Sequence, residues 1–433
     1  MKRTISRTAL CLSVALILLP ALAWAGAGQE KSSEQILLKM GDNLPDRSGT
    51  WGAVVEQINA EFIKAHPNVR IETESYPDQP YQQKIKLYAT SGQLPDVFKY
   101  WSFSTLLKPL VDAKLVAELN VADFKELNYM AGALESNMYY GKLWGIPVSG
   151  DLWVVYYNKR LFSSAGVAVP ETSDQVLAAV PKFKAQGLIP MSTDGKDSWP
   201  LCITWDNIIG RLTGDFSMVQ SALDRKMKFT DPPFVQAAKV LQDMVRAGLF
   251  QADLVTSDYG ASRNLFGQEK AAMYLMGSWE LGLVTDQNFP QSFRDNLSVF
   301  KFPLIQGGKG SRDDLVAWFG GNYVVNAGSK YKDLGIDYLK FYAKRFPDLI
   351  WEKQAAVPAQ RVQPTAKDSE LAKSLLQIAA EAKQSSGTPS LDRSTPAFKE
   401  DEQKFMRDLA ALVLTPEQFA RQLDASAETA SKQ

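Results

Sequence analysis

From Ile36 to Trp101 the chain switches repeatedly between two hydrophobic periodicities, and that alternation limits the folds open to it. Ile36 to Met40 is a short apolar run that reads as a buried strand. It breaks into the polar turn Gly41–Gly49, after which Trp51, Val54, Val55, Ile58, Phe62 and Ile63 recur at helical spacing. Pro67 ends that helix. Val69 to Thr73 alternates as a strand, Tyr81 to Thr90 reads as a helix, and Asp96 to Trp101 as a third strand. Parallel strands need long crossovers, usually helical, so this order is the signature of an α/β chain with a mostly parallel sheet flanked by helices.

The same alternation resumes further on. Leu152 to Asn158 reads as a strand, and Thr172-Ser173-Asp174-Gln175 as a capping box opening a helix to about Gln186. Leu188 to Met191 is a short strand, Pro233 to Ala247 a helix closed by Gly248, and Ala271 to Met276 a buried strand. The C-terminal third is mainly helical, at 330–342, 347–351, 371–382 and 398–412. A last helix is opened by Thr415-Pro416-Glu417-Gln418. At 433 residues the chain has room for two or three domains.

The first residues are set apart from this pattern. Lys2, Arg3 and Arg7 precede an uncharged apolar run from Leu10 to Trp24, and Ala23-Trp24-Ala25 offers small residues at a cleavage site. That is the layout of a secretory signal peptide over residues 1–25, and the run is shorter than the ~20 residues of a membrane span. Cys11 lies at the start of the run rather than after it, which does not suit a lipid anchor. An exported, soluble, periplasmic protein is expected, with Cys202 as its one cysteine and no disulfide. The chain has 48 basic and 48 acidic residues, and loss of the leader makes it slightly acidic. A nucleic-acid partner is therefore not expected.

Enzyme signatures are sparse. The single histidine, His66, falls at the end of the first helix, where a histidine suits the helix dipole. Neither a metal-ligand spacing nor a nucleophile elbow is present, and Gly307-Gly308-Lys309-Gly310 is a turn rather than a phosphate loop. No catalytic residue, metal or cofactor is expected.

Several ordered patterns resemble the extracellular solute-binding proteins of ABC importers, in the sugar-binding group that includes maltose-binding protein. They are the strand, loop and helix of 36–66; Leu94-Pro95-Asp96-Val97; Gly145-Ile146-Pro147 with Val154 to Phe162 and Ala165-Gly166; Ala271-Ala272-Met273 with Gly277-Ser278-Trp279; Gly320-Gly321-Asn322 with Ser329-Lys330; and Val357-Pro358-Ala359 with Arg361. The resemblance implies a two-lobed periplasmic-binding-protein fold whose chain crosses three times between lobes. The first lobe would take 36–150 and 321–354, the second 151–320 and 355–433. It further implies a monomer that captures a sugar or oligosaccharide by hinge closure and delivers it to ABC permease subunits. A glycoside hydrolase or lyase is the competing class, since carboxylates and aromatics also build a glycosidase cleft. A sensor subunit of the same fold is a third, and the ordered motifs favour the receptor.

A sugar presents apolar C–H faces that lie on aromatic rings and hydroxyls that need fixed donors and acceptors. Trp279, after a strand and the turn Gly277-Ser278, resembles the family's stacking aromatic. Trp199 and Trp205 lie where related receptors place platforms, one of them being core. Tyr100 and Trp101 end a strand whose alternation lets only one reach a cleft. The polar candidates are Asp151 at the first crossing, Asn43, Asp46 and Arg47 in the first loop, Asn322, and Arg361. Trp101-Ser102-Phe103-Ser104 stands where maltose-type proteins carry an acidic and basic pair, which argues against maltose.

Overall fold

The protein is described by a computed structural model covering residues 35–432. The expected leader, with Cys11, lies outside the described residues. Strand β1 (Ile36–Asp42) leads through a polar turn into helix α1 (Thr50–Ala65), then β2 (Val69–Ser75), α2 (Asp78–Ser91) and β3 (Val97–Trp101). Helix α1 buries Trp51, Val54, Val55, Ile58 and Phe62 as one stripe. Strand β1 pairs in parallel with β2 over its whole length, Ile36 opposite Val69 through Asp42 opposite Ser75. Gly92, at φ 70°, ends α2 in the left-handed conformation that glycine adopts freely.

After β4 (Ile146–Pro147), strand β5 (Asp151–Asn158) opens a second sheet. Helix α3 (Ser173–Lys184) begins with the expected reciprocal bonds between Thr172 and Gln175. Then come β6 (Ile189–Ser192), α4 (Trp199–Thr213), α5 (Pro232–Arg246), α6 (Tyr259–Gly267), β7 (Ala271–Gly277) and β8 (Leu297–Lys301). The chain ends through β9 (Ala317–Trp318), β10 (Gly321–Val325), α7 (Lys332–Glu352), α8 (Glu370–Ala380), α9 (Pro396–Ala410) and α10 (Pro416–Ala430).

The first sheet has the order β2-β1-β3-β10-β4 and the second β8-β5-β7-β6. Neither is mostly parallel, which corrects the expectation from the helix–strand alternation. Strand β10 runs antiparallel to both β3 and β4, and β5 antiparallel to both β8 and β7. The reason lies in the crossings. Strands β5 and β10 are entered directly from the other sheet rather than through a helical crossover, so nothing obliges them to run parallel. Three passages join the sheets: residues 148–150, residues 319–320, and the segment between α7, on α1 and β10, and α8, on β8.

A second departure concerns Pro347, which the sequence reading took as a break. Helix α7 runs through it unbroken. Proline removes one N–H and leaves the carbonyl of Ala343 without its helical donor. The buried Gln360 side chain supplies the replacement, Nε2 donating to Ala343 O at 2.8 Å. Helix α7 is thus tied to the third passage between the sheets.

Trp205 is a core residue and not a platform, which corrects its candidacy. It is 0% exposed, its ring is 5.5 Å from Phe419 and 6.0 Å from both Phe229 and Phe234, and its indole donates to Phe234 O. Trp199 opens the same helix, but six residues carry the chain about 240° round the axis, so the two indoles serve different faces. Trp205→Ala is expected to destabilise the protein by about 3–5 kcal/mol, read as a lower midpoint in urea. A loss under 1 kcal/mol would show that this helical core does not depend on the ring.

Candidate functional site

The carboxyl ends of β1, β3, β6 and β7 and the start of β5 bring the remaining candidates toward the junction of the sheets. In open α/β sheets such strand ends are where ligands sit. Trp279, in the 3-10 helix Ser278–Val284 after β7, packs against both of the molecule's large apolar clusters. Its ring centroid is 6.1 Å from Trp153, 5.9 Å from Trp199 and 5.8 Å from Trp318. Trp199 in turn lies 6.0 Å from Trp153 and nearly parallel to Tyr259 at 6.4 Å. Trp153 and Trp318 are buried, so Trp199 and Trp279 carry the exposed indole surface.

Asp151 begins β5 directly opposite Trp318. It is 6% exposed, and its Oδ1 has no protein partner. Burial pushes its pKa up to about 6, while the Ser149 hydroxyl, Lys99 and the Gly320 amide pull the other way. Lys99, 5% exposed, holds its ammonium over the Trp51 ring at 4.3 Å. Burial lowers its pKa, against the pull of Asp42, Asp78 and Asp151. Sequence reasoning passed over Lys99; the available signal was a lysine inside an otherwise apolar strand.

Asn43 donates to Asp78 Oδ1 at 3.1 Å and keeps a buried Oδ1 without a partner. Asp78 has its pKa raised by burial, opposed by Lys399 and Lys99. Beyond β6, Asp194 accepts from the Asp197 amide at 3.0 Å and buries an unpartnered Oδ2. Burial and the neighbouring Asp197 push its pKa up to about 8. Sequence reasoning did not single out Asp194.

Several predicted residues stand elsewhere. Tyr100 is buried against Phe98 and Trp101, so Trp101 is the member of that pair with open surface. Asn322 is buried within the first sheet and donates to Asn137 Oδ1, so it is not a cleft residue. Arg361 is exposed, with its backbone bonded to Asn128, and does not join the cluster. Arg47 is tied to Asp42 and Glu56, both at 2.5 Å. Asp46 closes the turn before α1, accepting from the Ser48 amide and hydroxyl and the Gly49 amide. Each of these three charges has short-range partners or solvent, which the sequence spacing does not reveal.

The seam between the sheets is bonded as well. Ser104 Oγ donates to Asp392 O at 2.7 Å and Thr105 Oγ1 to Asp392 Oδ1 at 2.8 Å. Lys86 meets Glu400 at 3.4 Å. A cavity of about 670 Å³ opens beside these bonds, between Ser102, Phe103 and Tyr139 on one side and Phe216 and Arg393 on the other. Its walls hold none of the tryptophans. Two indole faces with unpartnered acceptors at Asp151 and Asn43 suit a ligand rich in hydroxyl donors. His66 is stacked on Phe62 at the end of α1, with Nδ1 3.0 Å from Phe62 O. Among the described residues no group of three His, Cys, Asp or Glu is placed to hold a metal.

Comparison with known proteins gives the family. Residues 41–345 match the model of the bacterial extracellular solute-binding proteins. The multiple sugar-binding protein of Streptococcus mutans is 24% identical over 309 residues, 67% of this chain and 69% of that one. A structure solved in work on xylan utilization by Caldanaerobius polysaccharolyticus superposes with a TM-score of 0.83 at 29% identity, covering 90% of this chain and 99% of the other. A chitin oligosaccharide binding protein gives 0.81 at 22% identity, over 93% and 100% of the two chains. The chain belongs to the bacterial extracellular solute-binding proteins, and the family and fold are those of binding proteins rather than enzymes.

The buried acid at the start of β5 carries a pH signature. Its folded pKa of about 6 exceeds the ordinary 3.8, so the fold favours the protonated form. The resulting stability is present below pH 4 and lost as pH rises toward 6. The loss is about 3 kcal/mol for a shift of this size. Urea midpoints between pH 4 and 7 should fall for the natural protein relative to Asp151→Asn; a constant gap would show that Asp151 titrates as an exposed acid.

Proposed function

We propose that this member of the bacterial extracellular solute-binding proteins captures a neutral sugar or oligosaccharide at the lobe junction and delivers it to the membrane subunits of an ABC importer. One observation carries the reading: the half-buried indoles of Trp199 and Trp279 stand 5.9 Å apart, and Asp151, buried with an unpartnered Oδ1, lies opposite Trp318 of the same cluster. Indole faces match the C–H faces of a pyranose, and that carboxyl oxygen matches one of its hydroxyls. The names of the S. mutans and chitin oligosaccharide proteins support the same ligand class.

Charge argues for a neutral ligand. The bases around the cluster are engaged by protein acids: Arg47 by Asp42 and Glu56, Arg263 by Glu280 and Asp286, Lys399 by Asp392. Lys99 lies in the field of three aspartates. A phosphate or uronate would bring a further negative charge beside the Asp151 carboxylate.

The lobes in this reading are 36–150 with 321–354 and 151–320 with 355–433, rotating about the three passages. A ligand touching both lobes shifts the population toward the closed form by its differential affinity for the two states. The protein acts as an exported periplasmic monomer, its leader removed after Ala25, and the closed form presents both lobes to the permease.

A thermal-shift panel of xylotriose, chitotriose, raffinose, maltotriose and glycerol 3-phosphate tests the reading. A ligand held by the native state alone raises the melting temperature. At least one neutral trisaccharide is expected to raise it and glycerol 3-phosphate to leave it unchanged; a shift with the phosphate alone would overturn the ligand class. For the sugar that binds, Trp279→Ala should weaken affinity at least about thirty-fold by calorimetry, and unchanged affinity would remove Trp279 from the site.

A further inference from the structure

Trp279 is held from two sides by residues whose arrangement has no other evident purpose. The first is Gly277, the last residue of β7. Its backbone, at φ −83° and ψ 167°, is ordinary extended chain that any residue adopts. Glycine is required there for space. A Cβ at this position would lie 2.0 Å from Cζ3 and 2.2 Å from Cη2 of Trp279, so the six-membered ring rests directly against the bare Cα.

The second side is a relay on the indole nitrogen. Trp279 Nε1 donates to the Tyr259 hydroxyl at 3.1 Å, and that hydroxyl donates to Glu280 Oε1. Glu280, 3% exposed, takes Arg263 Nε on its other oxygen at 2.8 Å, and Arg263 reaches on to Asp286 at 2.9 Å. Burial, then Glu280, push the Tyr259 phenol far above its usual range, so it remains a neutral hydroxyl. Such a hydroxyl has one hydrogen. Because Glu280 takes it, the oxygen is left to accept, and an indole N–H can only donate. The direction of every bond in the relay is therefore determined.

The relay also borders the opposite lobe. The same 3-10 helix that carries Trp279 and Glu280 sets Gly282 against Thr50 at the start of α1. Asp46, in the loop before that helix, has its pKa lowered chiefly by the Ser48 hydroxyl, with Arg263 the smallest contributor.

We infer that Gly277, Tyr259 and Glu280 are positioning residues that set the plane of the Trp279 indole for ligand stacking, with Arg263 and Asp286 anchoring the relay. This rests on the reading of Trp279 as a ligand platform. Stacking surfaces act only when held close to their productive orientation by a shell of packing and hydrogen bonds. The Gly277 contact fixes the height of the ring and the relay fixes its rotation.

The test is a double-mutant cycle with a spectroscopic arm. Tyr259→Phe keeps the ring and removes the hydroxyl. It is expected to weaken the binding trisaccharide of the panel (xylotriose, chitotriose, raffinose or maltotriose) about five- to twenty-fold. In a Trp279→Ala background it should cause no further loss. Equal losses in both backgrounds would overturn the positioning role. If Trp279→Ala alone leaves affinity unchanged, the platform reading fails, and the spectroscopic arm still judges the relay. In protein labelled with nitrogen-15 tryptophan and free of sugar, the Trp279 indole resonance, identified by its absence in Trp279→Ala, should move in Tyr259→Phe and in Gly277→Ala. An indole resonance unmoved in Tyr259→Phe would overturn the inference, even if Gly277→Ala fails to fold.

Discussion

The register of β5 is the constraint on which the site depends. This strand enters the second sheet directly from the first, and its pairings set Asp151 opposite Trp318 and Trp153 opposite Gly277. Two residues beyond Gly277 stands Trp279, so one strand register assembles three of the four clustered indoles and the buried carboxyl beside them. A slip of one residue would turn every side chain to the other face of the sheet. Pairing with β8 on one side and β7 on the other opposes such a slip. Gly277 completes the arrangement, since a side chain there would displace the Trp279 ring.

Electrostatics follows from this packing. The junction buries Asp42, Lys99, Asp151, Asp194 and Glu280, and a buried charge left without a partner is costly. The structure answers in two ways. Asp42 and Glu280 keep arginine partners, and Lys99 lies among aspartates. Asp151 and Asp194 instead retain an oxygen without a partner and have raised pKa values. The first group holds the frame; from the second, Asp151 is the acid that the proposed ligand would meet. The distinction also explains why acidic residues alone, abundant in this chain, say little about where the site is.

Much of the fold was legible because periodicity reports burial. The stripe Trp51, Val54, Val55, Ile58 and Phe62 and the two capping boxes appear where the sequence places them. Strand direction was not legible, since an apolar run looks the same either way, and β10 illustrates this. Pro347 looked like the start of a separate helix because its compensating partner, Gln360, lies beyond the helix and packs back by tertiary folding. For the candidate site, the order of motifs led to Trp199, Trp279 and Asp151, which the fold brings to one cluster. Trp205, Tyr100 and Asn322 share residue type and neighbourhood with the other candidates, but helix phase and strand face bury them. Arg47 and Asp46 are engaged by their own loop and by α1, a local geometry that composition does not encode. The Tyr259–Glu280 relay was invisible for a similar reason, its members being twenty-one residues apart on separate elements.

The central claim is that ligand binds where the two lobes meet, on the indole of Trp279 and the free oxygen of Asp151. A crystal structure with the trisaccharide selected by thermal shift tests it most directly. The account predicts a pyranose ring lying on the Trp279 face, a hydroxyl within hydrogen-bond distance of Asp151 Oδ1, and contacts from both lobes. A sugar seated instead in the cavity bounded by Phe103, Tyr139 and Phe216, with Trp279 and Asp151 untouched, would contradict it.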